Sequence, residues 1–410
     1  MRNTQSMFIS AKKRHQVVRV SAVVDVVAIK LKDMPPNSGN SNKSACLGKS
    51  ILLAALAIPG IQSARADTAP ERAALSYKYL DYQDSQPGWD RIGVRAHAMS
   101  LLIPIAGEWS VEGSLTSDTV SGASPSFRSE RLIAGEMKEK RTGRDIKVSR
   151  YFSHGSLAIG GADSHESDYS SHAFSVSGSI STESKNATFN FGIGRANDRI
   201  NAPHVGVNND HKKIADYMVG VTQILTPYDI AQLNLTYSSG HGYFSDPYKF
   251  QDNRPRSKTA SIVQTRWNHH FASSGGTGRF GYRYYADSFG IRAHTLTAEY
   301  VQQLAHGWTV TPMLRLHTQS AASFYLDSDN PDFPNFAPPN QIQSQDQRLS
   351  AFGGRSLGIK IGNQLTPDLL LDLKYEYYEQ RPQWRLFGSG SPDIEPFMAN
   401  ILQFGVTYFF

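Results

Sequence analysis

The sequence predicts an all-β fold: a transmembrane antiparallel up-and-down β-barrel of about 16 strands, with long extracellular loops and short periplasmic turns. Three observations carry this. From about Ala73 onward, segments of 8–12 residues alternate apolar and polar side chains. The connectors between them alternate between short and long. A short apolar run with a basic front and a small-residue exit precedes them all, as in a secretory signal.

Alternation with period two means strands with two different faces. Val263-Gln-Thr-Arg-Trp267 and Phe280-Gly-Tyr-Arg-Tyr284 show it, and Leu371-Asp-Leu-Lys-Tyr-Glu-Tyr377 shows it most clearly. In the last, Leu371, Leu373, Tyr375 and Tyr377 share one face, and Asp372, Lys374 and Glu376 share the other. Strands are expected near 73–81, 91–103, 108–117, 143–152, 155–162, 172–182, 186–195 and 215–225. Further strands are expected near 229–238, 258–270, 278–286, 292–304, 308–319, 349–362, 367–378 and 399–410.

One such strand fits a sandwich or a barrel wall equally well, and the connectors decide between them. Short ones lie at 105–107, 153–155, 183–185, 226–228, 305–307 and 363–366. Long ones run 118–142, 196–214, 239–257, 320–348 and 379–398, with intermediate links at 163–171 and 287–291 on the long side of the alternation. Short turns on one rim and long loops on the other mark an outer-membrane barrel. An even strand count puts both termini and every short turn on one rim. A Greek-key sandwich has no reason to keep that order.

Residues 50–61 form a short apolar core, preceded by Lys43 and Lys49 and followed by Ala64-Arg-Ala66, an A-x-A-type cleavage site. Residues 1–66 are therefore expected to be an N-terminal extension plus cleavable signal peptide, with Met34 as a more compact start, and 67–410 to be the barrel. The formal charge of +6 follows the same division. Residues 1–66 hold ten Lys/Arg and two Asp/Glu; the other 344 hold 32 basic and 34 acidic groups. No basic patch is left to argue for nucleic acid. Cys46, the one cysteine, lies in the segment expected to be removed, which leaves no thiol chemistry and no disulfide. No plug-sized soluble domain is expected between Ala66 and the first strand.

The mean hydropathy is negative, and no run of about 18 apolar residues exists. Helical spans are excluded. In a bilayer every backbone N–H and C=O must be paired internally, which leaves a closed barrel. The apolar faces then need hydrocarbon as their partner. Tyr77, Tyr79, Tyr217, Tyr237, Trp267, Tyr282, Tyr284, Trp308 and Tyr408 sit mostly near strand ends, where aromatic girdles meet headgroups. Ordinary strand propensity is the alternative reading of these rings.

Leu402, Phe404, Val406, Tyr408 and Phe410 alternate to a terminal Phe. A last strand of this kind looks like the C-terminal signal read by the bacterial barrel-assembly machinery, with Phe404, Val406, Tyr408 and Phe410 as its residues. Several stretches also resemble an uncharacterised Gram-negative outer-membrane family, catalogued as domain of unknown function 3570. They are Asp118-Thr-Val-Ser-Gly-Ala-Ser-Pro125, Ser239-Gly-His-Gly-Tyr-Phe-Ser-Asp-Pro-Tyr-Lys249, Tyr282-Arg-Tyr-Tyr-Ala-Asp287 and Gly290-Ile-Arg-Ala-His-Thr295. Gln319-Ser-Ala-Ala-Ser-Phe-Tyr325 and Arg348-Leu-Ser-Ala-Phe-Gly353 complete the set. Phe289 stands where the family carries Trp. The resemblance implies an outer-membrane β-barrel and supplies no activity or catalytic residue.

Alternation assigns a lumen-facing set: Lys78, Arg95, Arg266, Arg283, Glu299, Arg315, His317, Lys360, Asp372, Lys374 and Glu376. Mixed charge facing inward either pairs across strands and fills the lumen, or lines a water channel and tunes its selectivity. Asp163, His165, Glu166, Asp168 and His172 invite a metal reading, as do His269 and His270, but neither set has zinc-site spacing. Asp327, Asp329 and Asp332 lack the Gly and distal Glu of a calcium loop. As part of a long external loop they suit cations that bridge lipopolysaccharide. No catalytic residue, cofactor or metal is expected. Residues His97 and Ser100 lie on opposite strand faces, His294 has no nucleophile beside it, and G-x-S-x-G and P-loop motifs are missing. Gly192-Ile-Gly194 reads as small residues in a barrel wall.

The leading expectation is a porin-like channel or small-solute transport barrel in the outer membrane. The alternative is a barrel plugged by its loops that anchors a periplasmic or surface protein, and an outer-membrane enzyme ranks last. The expected partners are outer-membrane lipid and lipopolysaccharide, and the assembly machinery during biogenesis. The solute and the oligomeric state are left open.

Overall fold

The computed structural model describes residues 68–122, 137–249, 252–327 and 341–410. The signal segment, Cys46, Asp329 and Asp332 lie outside the described residues. Sixteen antiparallel strands close into one barrel. They are β1 (Ala74–Gln86), β2 (Trp89–Ile105), β3 (Trp109–Gly122), β4 (Met137–Phe152), β5 (Gly155–His165), β6 (Tyr169–Ser181), β7 (Ala187–Ala202) and β8 (Val207–Thr226). Then come β9 (Asp229–Gly242), β10 (Ser257–Phe271), β11 (Gly276–Asp287), β12 (Arg292–Gln303), β13 (Trp308–Gln319), β14 (Phe352–Thr366), β15 (Leu369–Arg381) and β16 (Phe397–Phe409). Each strand pairs with its sequence neighbours, so the topology is purely up-and-down.

The ring closes between β1 and β16, in register from Ala74↔Phe409 to Ser85↔Met398. Just beyond it the Ala73 N–H donates to the Phe410 carbonyl at 2.9 Å, and the Phe410 N–H returns to Ala73 at 3.0 Å. Arg72 adds a bond to the Phe409 carbonyl at 2.7 Å and an ion pair to Asp368. No edge strand is left to seek a partner.

Opposed residues in a ladder share a face, so the register carries one parity around the whole ring. The outward set runs through Leu101, Leu115, Ile146, Ile159, Phe174, Ile193, Val219, Leu235, Leu296, Leu314, Leu357, Leu373 and Phe404, all exposed. This is a continuous apolar surface on a closed barrel. Its partner is hydrocarbon, and the barrel is transmembrane.

The turn rim is set by local chemistry. At the β2–β3 turn, Ala106 and Gly107 take φ of 52° and 70°, and at β12–β13 His306 and Gly307 take 57° and 77°. Paired positive φ is what the right-handed twist of the flanking strands demands. Two other turns share a Thr-Pro pair. Thr226 Oγ1 accepts from the Tyr228 N–H at 3.1 Å, and Thr366 Oγ1 accepts from the Asp368 N–H at 3.3 Å. The second corrects one expected boundary. The β14–β15 turn is at Pro367 and Asp368, and the stretch 363–366 is still strand, because Pro presets φ for the turn and Asn363-Gln-Leu-Thr366 keeps the strand alternation.

The loop rim departs further from expectation. Strand pairing continues to Gly122 and resumes at Met137 within the segment 118–142 read as a connector, and runs through much of 163–171 and 196–214. In β7 the alternation persists past the lipid: Ala196, Asp198 and Ile200 face in and are buried, while Arg195, Asn197 and Arg199 face out. Polar outward residues broke the apolar pattern but not the pairing. Among the described residues, the long connections lie within 243–256, 320–351 and 382–396.

The buried residues gather beneath those loops. Leu80, Tyr82, Phe397 and Ala399 pack together, and so do Phe289, Ile291, Ala322 and Leu349. Burying the Leu, Ile and Phe side chains among them stabilises by about 1.5–3 kcal/mol each, which fixes the loops to the loop-side end of the wall.

Candidate functional site

Among the predicted lumen residues, the register turns Lys78, Arg266, Arg283, Glu299, Arg315, His317, Lys360, Asp372, Lys374 and Glu376 to the face opposite the apolar belt. Arg95 is a correction. It opposes Asp81 and Thr119 on the outward face of Met99 and Leu101, and forms an ion pair with Asp81 at 3.3 Å. Charge alone does not dictate an inward direction above the lipid, where the outer wall is wet. Arg144–Asp163 is an outward pair of the same kind.

Inside, several charges are paired. Lys360 meets Asp372 at 3.6 Å and Lys374 meets Glu376 at 3.3 Å. His317 bonds Thr295 at 2.9 Å and Gln319 at 3.3 Å. Arg266, Arg283 and Arg315 project from β10, β11 and β13. Glu112 and Asp145 project from β3 and β4, across the ring. Lys147 pairs with Glu112 at 2.7 Å, so the lumen carries an arginine-rich wall facing a mixed one that holds Asp145. Near the turn rim, Arg279 and Glu299 stand 3.7 Å apart and keep 44% and 38% of their side chains exposed although they face inward. A packed interior would not leave two charges so open, so this end of the lumen is wet.

The loop end is the reverse. Asp346, on the β13–β14 loop, is completely buried and receives bonds from Arg254 at 2.6 Å and from its neighbour Arg348 at 2.6 Å. Arg348 reaches on to Asp246 at 2.8 Å, and Arg254 to Asp252 at 2.8 Å; Lys249 lies 3.6 Å from Asp346. The 243–256 and 320–351 loops are thus bolted together by a buried ion network, backed by the Asn253–Gln343 bridge. Burial pushes the Asp246 carboxyl above the usual carboxylate range despite Arg348. Burial opposes ionisation of Asp346 too, but Arg348, Lys249 and Arg254 together hold it well below that range.

The other loops join this lid. The Tyr325 hydroxyl donates to the Asp393 carboxylate at 2.8 Å, tying the 320–351 loop to 382–396. The guanidiniums of Arg355 and Arg381 lie over the Trp384 ring, 4.4 and 5.1 Å from its centre. The Trp384 carbonyl fills the space a Cβ on Gly353 would need. Tyr248 donates to Asp168 at 2.5 Å and links 243–256 to the β5–β6 connection.

The chain matches the model of the family described as a protein of unknown function, DUF3570, over residues 130–400. It belongs to that family. The DUF3570 match spans β4 to β15 and every residue of the ion network, and leaves β1, β2 and β3 outside. No curated protein matches. Among solved structures, the siderophore receptor PirA from Pseudomonas aeruginosa is similar at 10% identity and TM-score 0.43, covering 82% of this chain and 62% of that one. The chain therefore spans less than two thirds of that receptor's length. A bacterial polysaccharide outer membrane secretin is similar at 9% identity and TM-score 0.47, covering 82% and 98%. A Pseudomonas aeruginosa FadL homologue is similar at 12% and 0.38, covering 84% and 90%. These are likenesses of fold.

The suspected metal positions separate in this DUF3570 chain. Asp163 pairs with His172 at 2.8 Å on the outer wall, while Glu166 and Asp168 are buried under the loops. His269 bonds Asp229 at 2.7 Å on the outer wall, and His270 bonds Thr277 at 3.2 Å. Among the described residues no three His, Cys, Asp or Glu side chains converge. Phe404, Tyr408 and Phe410 of the C-terminal strand are exposed on the outer face, the last two stacked at 6.0 Å. Sequence reasoning missed the ion network. Its members lie about a hundred positions apart in loops without periodicity, and only the charged residues clustered at 246–256 and 346–348 hint at it.

Proposed function

We propose that this protein is an outer-membrane channel for small polar solutes whose extracellular mouth is shut by its own loops. One observation carries the reading: inward charges near the turn rim are wet, whereas Asp346 and its partners at the loop rim are dry. A lumen solvated from one end and latched at the other is a gated vestibule. Inward charges, arginine-rich on one wall, orient polar solutes crossing it and set their selectivity. A ring of sixteen strands is wide enough for an aqueous path once the lid moves.

The test is planar-bilayer recording of the refolded chain beside an Asp346→Asn, Arg348→Gln variant. The wild type should dwell mostly closed with brief openings, and the variant should stay open far longer. Silence from both, across salts and voltages, would refute a channel. That outcome would favour the second reading, a permanently plugged barrel that anchors a protein partner, for which the tightly buried lid is the supporting observation.

A further inference from the structure

One arrangement of side chains occurs twice on the outer wall. Tyr77-Lys-Tyr79 on β1 lies beside Arg95-Ala-His97 on β2, and Tyr282-Arg-Tyr284 on β11 lies beside Arg292-Ala-His294 on β12. The registers agree, with Tyr79 opposite His97 and Tyr284 opposite His294. The hydroxyls of Tyr77 and Tyr282 bond the histidine Nδ1 at 2.8 and 2.7 Å. The rings of Tyr79 and Tyr284 sit 5.1 and 5.0 Å from the same imidazoles. Each histidine is thus fixed in orientation by two tyrosines, with an arginine two residues nearer the loop rim.

The copies differ where a ligand would notice. Arg95 is neutralised by Asp81. The residue opposite Arg292 is Ala286, and no carboxylate of the described residues stands within ion-pair distance of Arg292. The second copy also carries Phe387 against His294 at 5.2 Å. Below it the wall is hollowed into a groove of about 640 Å³, lined by Tyr282, Leu296, Ala298, Leu314, Leu316 and Trp267. Tyr282 belongs to both, its ring in the groove and its hydroxyl on His294. Arg292 begins β12, so the cation lies at headgroup level and the groove descends into hydrocarbon.

We propose that this is a seat for one phosphorylated lipid of the loop-side leaflet. Its phosphate lies on Arg292 and the second ring nitrogen of His294, and one acyl chain fills the groove. A cation paired with an apolar trough fits an anionic amphiphile and nothing purely soluble. Naming the lipid as the phosphorylated glucosamine lipid of lipopolysaccharide, lipid A, rests on the outer-membrane reading above.

The experiment is native mass spectrometry of the detergent-purified barrel, with folding verified by heat-dependent gel mobility. The probes are lipid A, dephosphorylated lipid A, phosphatidylglycerol and inorganic phosphate. The folded wild type should retain lipid A. Arg292→Gln with His294→Asn should weaken retention about tenfold or more. Ala298→Phe, which fills the groove and leaves the charge, should weaken it as well, while Arg95→Gln should have no effect. Equal retention of dephosphorylated lipid, unchanged retention by both groove-side variants, or displacement of lipid by inorganic phosphate would each overturn the seat. Retention of phosphatidylglycerol in place of lipid A would uphold the seat and overturn the outer-membrane orientation.

Discussion

Asp346 accepts a hydrogen bond from Arg254 at 2.6 Å, and the two residues belong to different loops, 92 positions apart in sequence. Asp346 is fully buried and Arg254 largely so, and the contact holds only while the loops are folded over the lumen. Removing one member of a buried, hydrogen-bonded ion pair costs about 3–5 kcal/mol, because the other charge is left without a partner. Asp346→Asn should therefore release the lid while the strands below stay paired. Limited proteolysis checks this: cleavage within 243–256 and 341–350 should rise steeply in the variant, with the barrel core intact. Equal cleavage of variant and wild type would mean the network does not hold the lid.

The same network predicts a two-sided pH response. Protons favour whichever state holds a carboxyl at the higher pKa. Asp246 is raised in the closed lid by burial. As pH falls from neutrality toward the ordinary carboxylate value of about 4, its protonation favours the closed state. Asp346 is depressed by its three cations, so the stability it contributes is present above that ordinary value and is lost as pH falls through its lower one. Opening should stay flat or decline between pH 7 and about 4, then increase below. Asp246→Asn should abolish the decline, and Asp346→Asn should abolish the acid rise. Single-channel recording with acid on the loop side measures both, and a steady increase in opening from neutrality down would contradict the assignment.

The inward charges predict selectivity. Arg283 and Arg315 are inward neighbours on β11 and β13, across the ring from Asp145 on β4. Arg283→Gln with Arg315→Gln should move the reversal potential in a salt gradient toward cations, changing the permeability ratio by a factor of a few. Asp145→Asn should move it the opposite way. Identical reversal potentials in all three proteins would show that the permeating path avoids these walls.

Much of this barrel was legible because one physical rule governs it: opposed residues share a face, and one face meets hydrocarbon. Leu371 to Tyr377 announced both faces of β15 directly. The rule weakens where lipid ends. Alternation read from the sequence turns Arg95 inward, yet the register puts it on the outer wall, which is wet at its height, and Asp81 receives it. Residues 196–202 read as loop in the sequence because outward Asn197 and Arg199 look like solvent residues, though buried Ala196 and Ile200 alternate with them. The lid was hidden for a different reason. Its contacts join loops distant in sequence, and loop residues carry no period that announces a partner. The repeated Arg-Ala-His tripeptide at 95 and 292 was visible, but only the register shows that each lies beside a Tyr-x-Tyr.

The apolar belt gives the most direct test of the membrane assignment. Ile193 lies mid-strand on β7, faces outward beside Val176 and Tyr217, and is 56% exposed. In a water-soluble protein an exposed isoleucine tolerates charge, and Ile193→Arg would change stability by less than about 0.5 kcal/mol. In a bilayer the same substitution places a guanidinium near the midplane and should cost about 2–4 kcal/mol. The control is Asn197→Arg, four residues along the same face and above the lipid, which should cost little. Urea-dependent folding into liposomes, followed by gel mobility, separates the two cases. A destabilised I193R beside a near-neutral N197R supports lipid contact at the first position and water at the second. Two neutral variants would require another protein surface to cover the belt.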